Sequence, residues 1–217
     1  ANETTRARID KLIRSCELRY DGPSNIADDS RLYHPCDVLY VSQTSSEKAN
    51  AAGGKFRGRF GRKAFRLETL RQDIVRDGDA VTAVNHLSFN LFGKVPGDVV
   101  LVGPAVSAEP PGANKSEAKG PSFSVRADFE PPRVRVGPVA LRVGPPSKVY
   151  LDTTFVDERI RISQGGTSGT KFIFERIAGA DAAANARRAW RKVVERKSVD
   201  ARTLGRVLLG VAALVVA

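Results

Sequence analysis

The spacing of apolar residues changes character along this chain. Ile9, Leu12, Ile13 and Cys16 stand at i, i+3, i+4 and i+7, with Arg8, Lys11 and Arg14 on the other side. That spacing predicts an amphipathic helix, which ends before the breaker Asp21-Gly22-Pro23. Residues 21–36 show no period, and Val38–Val41 reads as a short buried strand. From Phe65 the period falls to two: Phe65 and Leu67 alternate with Arg66 and Glu68. After a turn at Asp77-Gly78, Asn85, Leu87, Phe89 and Leu91 share one face, and His86, Ser88 and Asn90 the other. Lys94–Asp98 is a further turn, leading into Val99–Val102. The stretch 103–122, rich in Gly, Pro, Ser, Ala and Lys and without period, reads as a loop. Short alternating strands resume at Ser124–Phe129, Arg133–Val136 and Ala140–Val143, set off by prolines that suit edges and corners. Ile160 and Ile162 face one way, Gly165–Gly169 reverses the chain, and Phe172 and Phe174 alternate on the return. The whole predicts an α+β, mainly β fold: an up-and-down antiparallel barrel of roughly eight strands with a helix at its N-terminal side.

The C-terminal part has a different pattern. Ala182–Arg196 favours helix, with Ala186, Trp190, Val193 and Val194 on one side and arginines around the rest. An uninterrupted apolar run, Val207–Ala217, follows. Eleven residues of helix rise about 16 Å at 1.5 Å per residue, roughly half of a bilayer core of about 30 Å. The expectation is that the run belongs to a longer transmembrane helix; the alternatives are insertion part way and an amphipathic helix that closes the barrel.

Composition places the chain among globular proteins: 217 residues, 41% hydrophobic and 27% charged. It begins at Ala1 and has no Met, which fits a product from which a targeting peptide has been removed. The net charge of +11 is concentrated. Residues 55–76 and 186–206 each carry eight basic side chains against two acidic ones, so the rest of the chain is near neutral. Two cationic patches on a neutral body suit an anionic surface: lipid headgroups, an acidic protein face or nucleic acid. In the second patch the candidates are Arg187, Arg188, Trp190, Arg191, Lys192, Arg196, Lys197, Arg202 and Arg206, with Trp190 suited to headgroup level. The cysteines are Cys16 and Cys36 alone, too few for a disulfide framework or a zinc site. Buried free thiols and a Cys16–Cys36 bridge both stay open.

Few residues suggest catalysis. His34 precedes Pro35-Cys36, but adjacent side chains rarely converge on one substrate, and His86 reads as a surface residue among polar neighbours. Asp152, Asp157 and Glu158 are the remaining acidic grouping. Gly165–Lys171 lacks the second glycine and the hydroxyl residue of a phosphate-binding loop, and reads as a hairpin turn. Phe56–Lys63 interleaves arginine, glycine and aromatics, as nucleic-acid stacking would need, but the pattern is short and unrepeated. A barrel lined from alternate positions can instead hold an apolar molecule or pack solid. The interior candidates are Tyr40, Phe65, Leu87, Phe89, Phe129, Phe155, Ile162 and Phe172.

One stretch carries a resemblance. Residues 150–165 read Tyr-Leu-Asp-Thr-Thr-Phe-Val-Asp-Glu-Arg-Ile-Arg-Ile-Ser-Gln-Gly. They resemble the closing signature of the plastid-lipid-associated proteins, or plastid fibrillins, Leu-Asp-Thr-Thr-Tyr-Leu-Asp-x-x-Leu-Arg-Ile-Ser-Arg-Gly. Phe155, Val156, Ile160 and Gln164 depart from its letters, and all but Gln164 keep the chemical character. Asn90–Gly93 with Pro96-Gly97 resembles the middle hairpin of the same family. The resemblance covers about residues 6–178 and implies a lipocalin-like barrel over 1–178; the pattern beyond it adds a basic amphipathic helix over 179–203 and an apolar membrane-anchor segment over 204–217. It implies structural work for Asp152, Thr153, Thr154, Asp157 and Arg161, with Asp157 accepting hydrogen bonds at a turn and Arg161 paired with a carboxylate. It further implies a non-catalytic plastid protein that needs no cofactor, and the arginines at 187–206 beside the apolar run would keep the domain on the stromal side of the thylakoid. Its bound molecule would be a lipid, quinone or carotenoid, its partners thylakoid lipids and photosystem or antenna subunits, with nucleic acid set aside. The alternative is a membrane-anchored structural subunit or assembly factor of a photosynthetic complex.

Overall fold

The computed structural model describes residues 3–42, 65–109 and 121–198. The arginine-glycine-aromatic stretch 56–63, most of the 103–122 stretch, Arg202, Arg206 and the expected anchor 204–217 lie outside the described residues.

Helix α1 spans Glu3–Glu17 and stops ahead of the predicted breaker. Its Ile13 is buried against Phe155 and Ile162, with Ile9 and Cys16 alongside. Leu12, at the margin of the apolar stripe, is 58% exposed, so the stripe is narrower than the spacing suggests. The stretch without period holds two short 3₁₀ turns, Ile26–Asp28 and Ser30–Leu32. Each is started by a side chain: Asn25 accepts from the Ala27 N–H and Asp29 from the Arg31 N–H. Ile26 and Leu32 are then buried against Ile74 and Val156, stoppering one end of the barrel.

The strands are β1 (Cys36–Val41), β2 (Phe65–Asp77), β3 (Ala80–Leu91), β4 (Val95–Ser107) and β5 (Phe123–Phe129). They continue with β6 (Arg133–Val136), β7 (Val139–Arg142), β8 (Ser147–Val156), β9 (Ile160–Gly165) and β10 (Lys171–Arg176). Eight of them close a ring of antiparallel neighbours in chain order, β1-β2-β3-β4-β5-β8-β9-β10, with β10 returning to β1. This is the up-and-down barrel the alternation predicts, its ring joined most narrowly at β1–β2, where Cys36 and Asp37 pair with Gln72 and Arg71. The β6–β7 hairpin is an insertion between β5 and β8. It pairs with Gly97–Val100 on the outer part of β4, while Ala105–Ser107 of the same strand pair with β5.

Strand β4 runs to Ser107, into the stretch read as loop from residue 103. The composition misleads because Gly103 serves close approach and not a turn: a Cβ there would collide with the Asp128 carbonyl of β5. Three bulges interrupt the ladders, at Leu67/Thr69, Val38/Tyr40 and Thr153/Phe155.

In this topology the β3–β4 and β9–β10 turns lie at one end of the barrel, with the β6–β7 turn joined to it where the Gly137 N–H donates to the Pro96 carbonyl. The β2–β3 and β8–β9 turns and the 3₁₀ stopper lie at the other. Helix α2 (Ala180–Val194) starts after Gly179, whose φ of 86° suits glycine alone. It runs back along the outer wall, burying Val193 on Val84 and Val100, with Trp190 and Val194 beside them. Among the described residues no helix is long and apolar enough to cross a membrane, which says nothing of strands.

Candidate functional site

The inner face of the barrel surrounds a cavity of about 30 Å³. Its apolar wall is Ile74, Val81, Ala83, Ala105, Phe123, Val125, Ala127, Phe129, Val149 and Leu151, and its polar wall Gln72, Asn85 and Thr153. Alternation from these positions places the remaining candidates. Leu87 and Phe89 continue the inward set of β3, with Phe89 folded over Gly97 of β4. Phe129 lines the cavity itself. Phe172 is in register with Ser163, whose hydroxyl bonds to that of Thr153 at 3.0 Å, so it too faces inward. Phe65 opens β2 opposite Leu91, and its side chain lies outside the described residues.

Three interior candidates are instead outside. Phe155 and Ile162 pack on Ile13 of α1, and Tyr40 is in register with Ile173 of the same outer cluster. The cause is parity: the bulges at Thr153/Phe155 and Val38/Tyr40 each insert a residue, which turns every following side chain to the opposite face. Ile162 follows from the same register, since it faces Phe155 and Ile173.

Arg161 lies in the interior, 1% exposed. The expected carboxylate partner is missing: among the described residues Nη2 donates to Gln72 Oε1 at 2.7 Å and Nη1 to the Leu32 carbonyl at 3.4 Å. The guanidinium lies over the Phe174 ring at 4.5 Å, and Nε has no partner. Burial pulls its pKa down from the usual arginine range, with Cys36 and Asp73 acting in the other direction; a guanidinium nevertheless keeps its charge in a protein. Gln72 passes the contact on, its Nε2 donating to Asn85 Oδ1 at 3.0 Å. The cavity's polar wall is thus tied to a buried cation. The sequence offers one signal of this, polar Asn85 on the face otherwise made of Leu87, Phe89 and Leu91.

The other motif residues do local work. Asp152 accepts from Ser124 Oγ at 3.0 Å, joining β8 to β5, and Thr154 Oγ1 donates to Glu17 of α1 at 2.6 Å. Asp157 Oδ1 accepts from the Arg159 and Ile160 N–H groups, both at 2.7 Å, closing the β8–β9 turn as expected. Glu158 pairs with Arg176, so the three carboxylates do not converge. Gly165–Lys171 is the β9–β10 connection, bridged by Gly169 N–H to the Gly165 carbonyl. Among the described residues no group of His, Cys, Asp and Glu is arranged to hold a metal. Cys16 and Cys36 are free thiols, and burial pushes both pKa values up.

His86 is buried and not a surface residue, because α2 covers the outer face of β3 that was read as solvated. Its Nε2 meets Asp98 Oδ1 at 2.9 Å, and Arg135 Nε donates to Asp98 Oδ2 at 2.6 Å. Burial raises the Asp98 pKa, but these two hydrogen bonds outweigh it and the carboxyl ends below the usual range. His34 sits near the start of α2, and burial lowers its pKa.

The cations of α2 divide into two sets. Arg187 bonds to Asp73 at 3.0 Å and to the Tyr33 carbonyl at 3.2 Å. Trp190 Nε1 donates to the same Asp73 at 3.3 Å, so this tryptophan faces the barrel wall and not a headgroup layer. Arg188, Arg191, Lys192, Arg196 and Lys197 are exposed, and with Arg187 several of them line an open groove along the helix.

Among curated proteins, the chain is 33% identical over 141 residues to one from Arabidopsis thaliana named probable plastid-lipid-associated protein 8, chloroplastic. The match covers 64% of this chain and 50% of that protein, so the chain spans about half the length of the curated relative it matches. No family model matches the chain. No solved structure matches it either. The chain is a distant homologue of a plastid-lipid-associated protein, as the resemblance at residues 150–165 implied.

Proposed function

We propose that this distant relative of a plastid-lipid-associated protein is a non-catalytic, lipid-associating protein of the plastid. Its barrel takes an apolar molecule of the lipid, isoprenoid quinone or carotenoid class, and its C-terminal side holds it to the stromal face of the thylakoid. The observation that carries the reading is the ring of small side chains inside the barrel. Ala83, Ala105 and Ala127 cluster beside Phe129, leaving the void where larger residues would fill the core. At about 30 Å³ that void has room for a water or two, whereas ligand sites run to about 300 Å³ and more. A ligand therefore enters by spreading the wall. Among the described residues the shortest ladder in the wall is β1–β2, where two residue pairs join the strands, Cys36 with Gln72 and Asp37 with Arg71, and Gln72 lines the cavity. That seam is the natural opening.

Filling the void tests this. In Ala127→Leu the affinity of the purified protein for a fluorescent polyene fatty acid should fall at least tenfold, with cooperative thermal unfolding retained. Ala127→Val serves if the larger residue does not fold. Equal affinity in wild type and filled variant would show that apolar molecules bind elsewhere.

The same small cavity favours a second reading, a membrane-anchored structural subunit or assembly factor with a packed barrel. Co-purification with a photosystem or antenna complex at fixed stoichiometry, without co-extracted lipid, would select it. Salt-dependent affinity for RNA with none for anionic vesicles would overturn both readings.

A further inference from the structure

We propose that one end of the barrel, the tip of the β3–β4 hairpin with Phe92 at its apex, is the face that docks on an anionic lipid surface. The inference rests on the membrane association proposed above and adds which surface makes the contact.

Phe92 is 60% exposed and adopts φ 53°, the left-handed region. It is the described non-glycine residue with positive φ, beside Gly93, which adopts φ 68° without strain. A bulky residue there strains the backbone, and a ring this exposed recovers little of that strain through burial among the described residues. Local violations of this kind collect where a surface meets something outside the fold. Leu67, at the mouth of the neighbouring strand β2, is 51% exposed, and Val95 is 37% exposed. The three lie at this end, with Arg66, Lys94 and one carboxylate, Glu68, exposed beside them.

Two links tie this tip to the cationic end of α2. The Gly137 N–H donates to the Pro96 carbonyl at 2.9 Å, holding the β6–β7 turn against the hairpin. Arg196 Nη1 in turn donates to the Pro138 carbonyl of that turn at 3.0 Å. The chain therefore leaves α2 at the end of the barrel that carries Phe92, with Arg196 and Lys197 exposed there. Its sequence then runs on to the wholly apolar Val207–Ala217. An apolar apex, a cationic collar and the approach to an apolar run share one end. A bilayer with acidic headgroups fits all three: the ring partitions among acyl chains while the collar meets phosphate. The opposite end, stoppered by Ile26 and Leu32, also exposes Leu18, but there Asp21, Asp77 and Asp79 stand among the arginines, and the chain does not leave α2 on that side.

The test uses the full chain and vesicles of phosphatidylcholine with phosphatidylglycerol. Phe92→Trp should gain a blue-shifted emission component on vesicles, quenched by lipids brominated on their acyl chains. Asp79→Trp, at the far hairpin, should stay accessible to aqueous quencher. Phe92→Asn, which suits the left-handed backbone, should weaken vesicle binding roughly tenfold or more, the partitioning of one aromatic side chain. If the protein floats with vesicles while the tryptophan at 92 keeps its aqueous emission, the end-on orientation is wrong and the membrane reading survives. If no form of the full chain binds these vesicles, both fail.

Discussion

Arg161 holds its charge inside the barrel with Gln72, the Leu32 carbonyl and the Phe174 ring for company. It links the 3₁₀ stopper to the wall, so removing it leaves a void and two oxygens without a donor. Arg161→Ala should lower unfolding stability in a denaturant titration by about 3 kcal/mol. Arg161→Met, which restores volume without the charge, should recover much of that loss; an equal loss for both would mean that the hydrogen bonds matter and the packing does not. Asp29 gives a pH signature. The Arg31 side chain donates to both its oxygens, from Nη2 to Oδ2 at 2.7 Å and from Nε to Oδ1 at 2.9 Å, and this holds its pKa below the usual carboxylate value of 3.8 despite burial. Because the folded state binds the proton less readily than the unfolded chain, the stabilisation is complete above that value and is lost as pH falls through the depressed one. Acid titration of unfolding should show this loss in the wild type, and a shallower slope below about pH 4 in Asp29→Asn. The Arg31–Asp29 pair was not legible in the sequence, where residues 21–36 show no period to fix their geometry.

At the level of elements, strand existence was legible because alternation records burial directly: β3 and β5 lie where Leu87, Phe89 and Phe129 place them. Facing was legible only as far as the next bulge. Tyr40, Phe155 and Ile162 end outside because one inserted residue reverses parity, and nothing in their letters marks the insertion. Helix α2 was legible as amphipathic, but not its partner. The apolar side that suits a membrane surface equally suits the outer wall of a barrel, where it covers His86, Val84 and Val100. Asp73 latches it, accepting from both Arg187 and Trp190. Asp73→Ala should therefore release the helix. Trp190, the single tryptophan, should shift its emission to longer wavelength well before the barrel's far-ultraviolet signal is lost on heating. Coincident loss of both signals in the variant would show that the latch is not needed.

For the whole molecule, the closed ring explains why a chain with this alternation stays in one piece despite the β6–β7 insertion, which takes an edge of β4 that β5 leaves free. The resemblance at residues 150–165 carried the fold, since those residues pin β8 to β5, to β9 and to α1. The functional centre was less legible: whether a barrel is hollow depends on volumes summed over several strands, and Ala83, Ala105 and Ala127 are far apart in the chain. The most direct measurement is a mass spectrum of the organic extract from purified full-length protein, taken before and after incubation with a total lipid extract. Retention of one apolar species in proportion to protein, unchanged in mass on prolonged incubation, is the predicted result. An empty barrel under all loading conditions, or conversion of the lipid to a new species, would contradict the account.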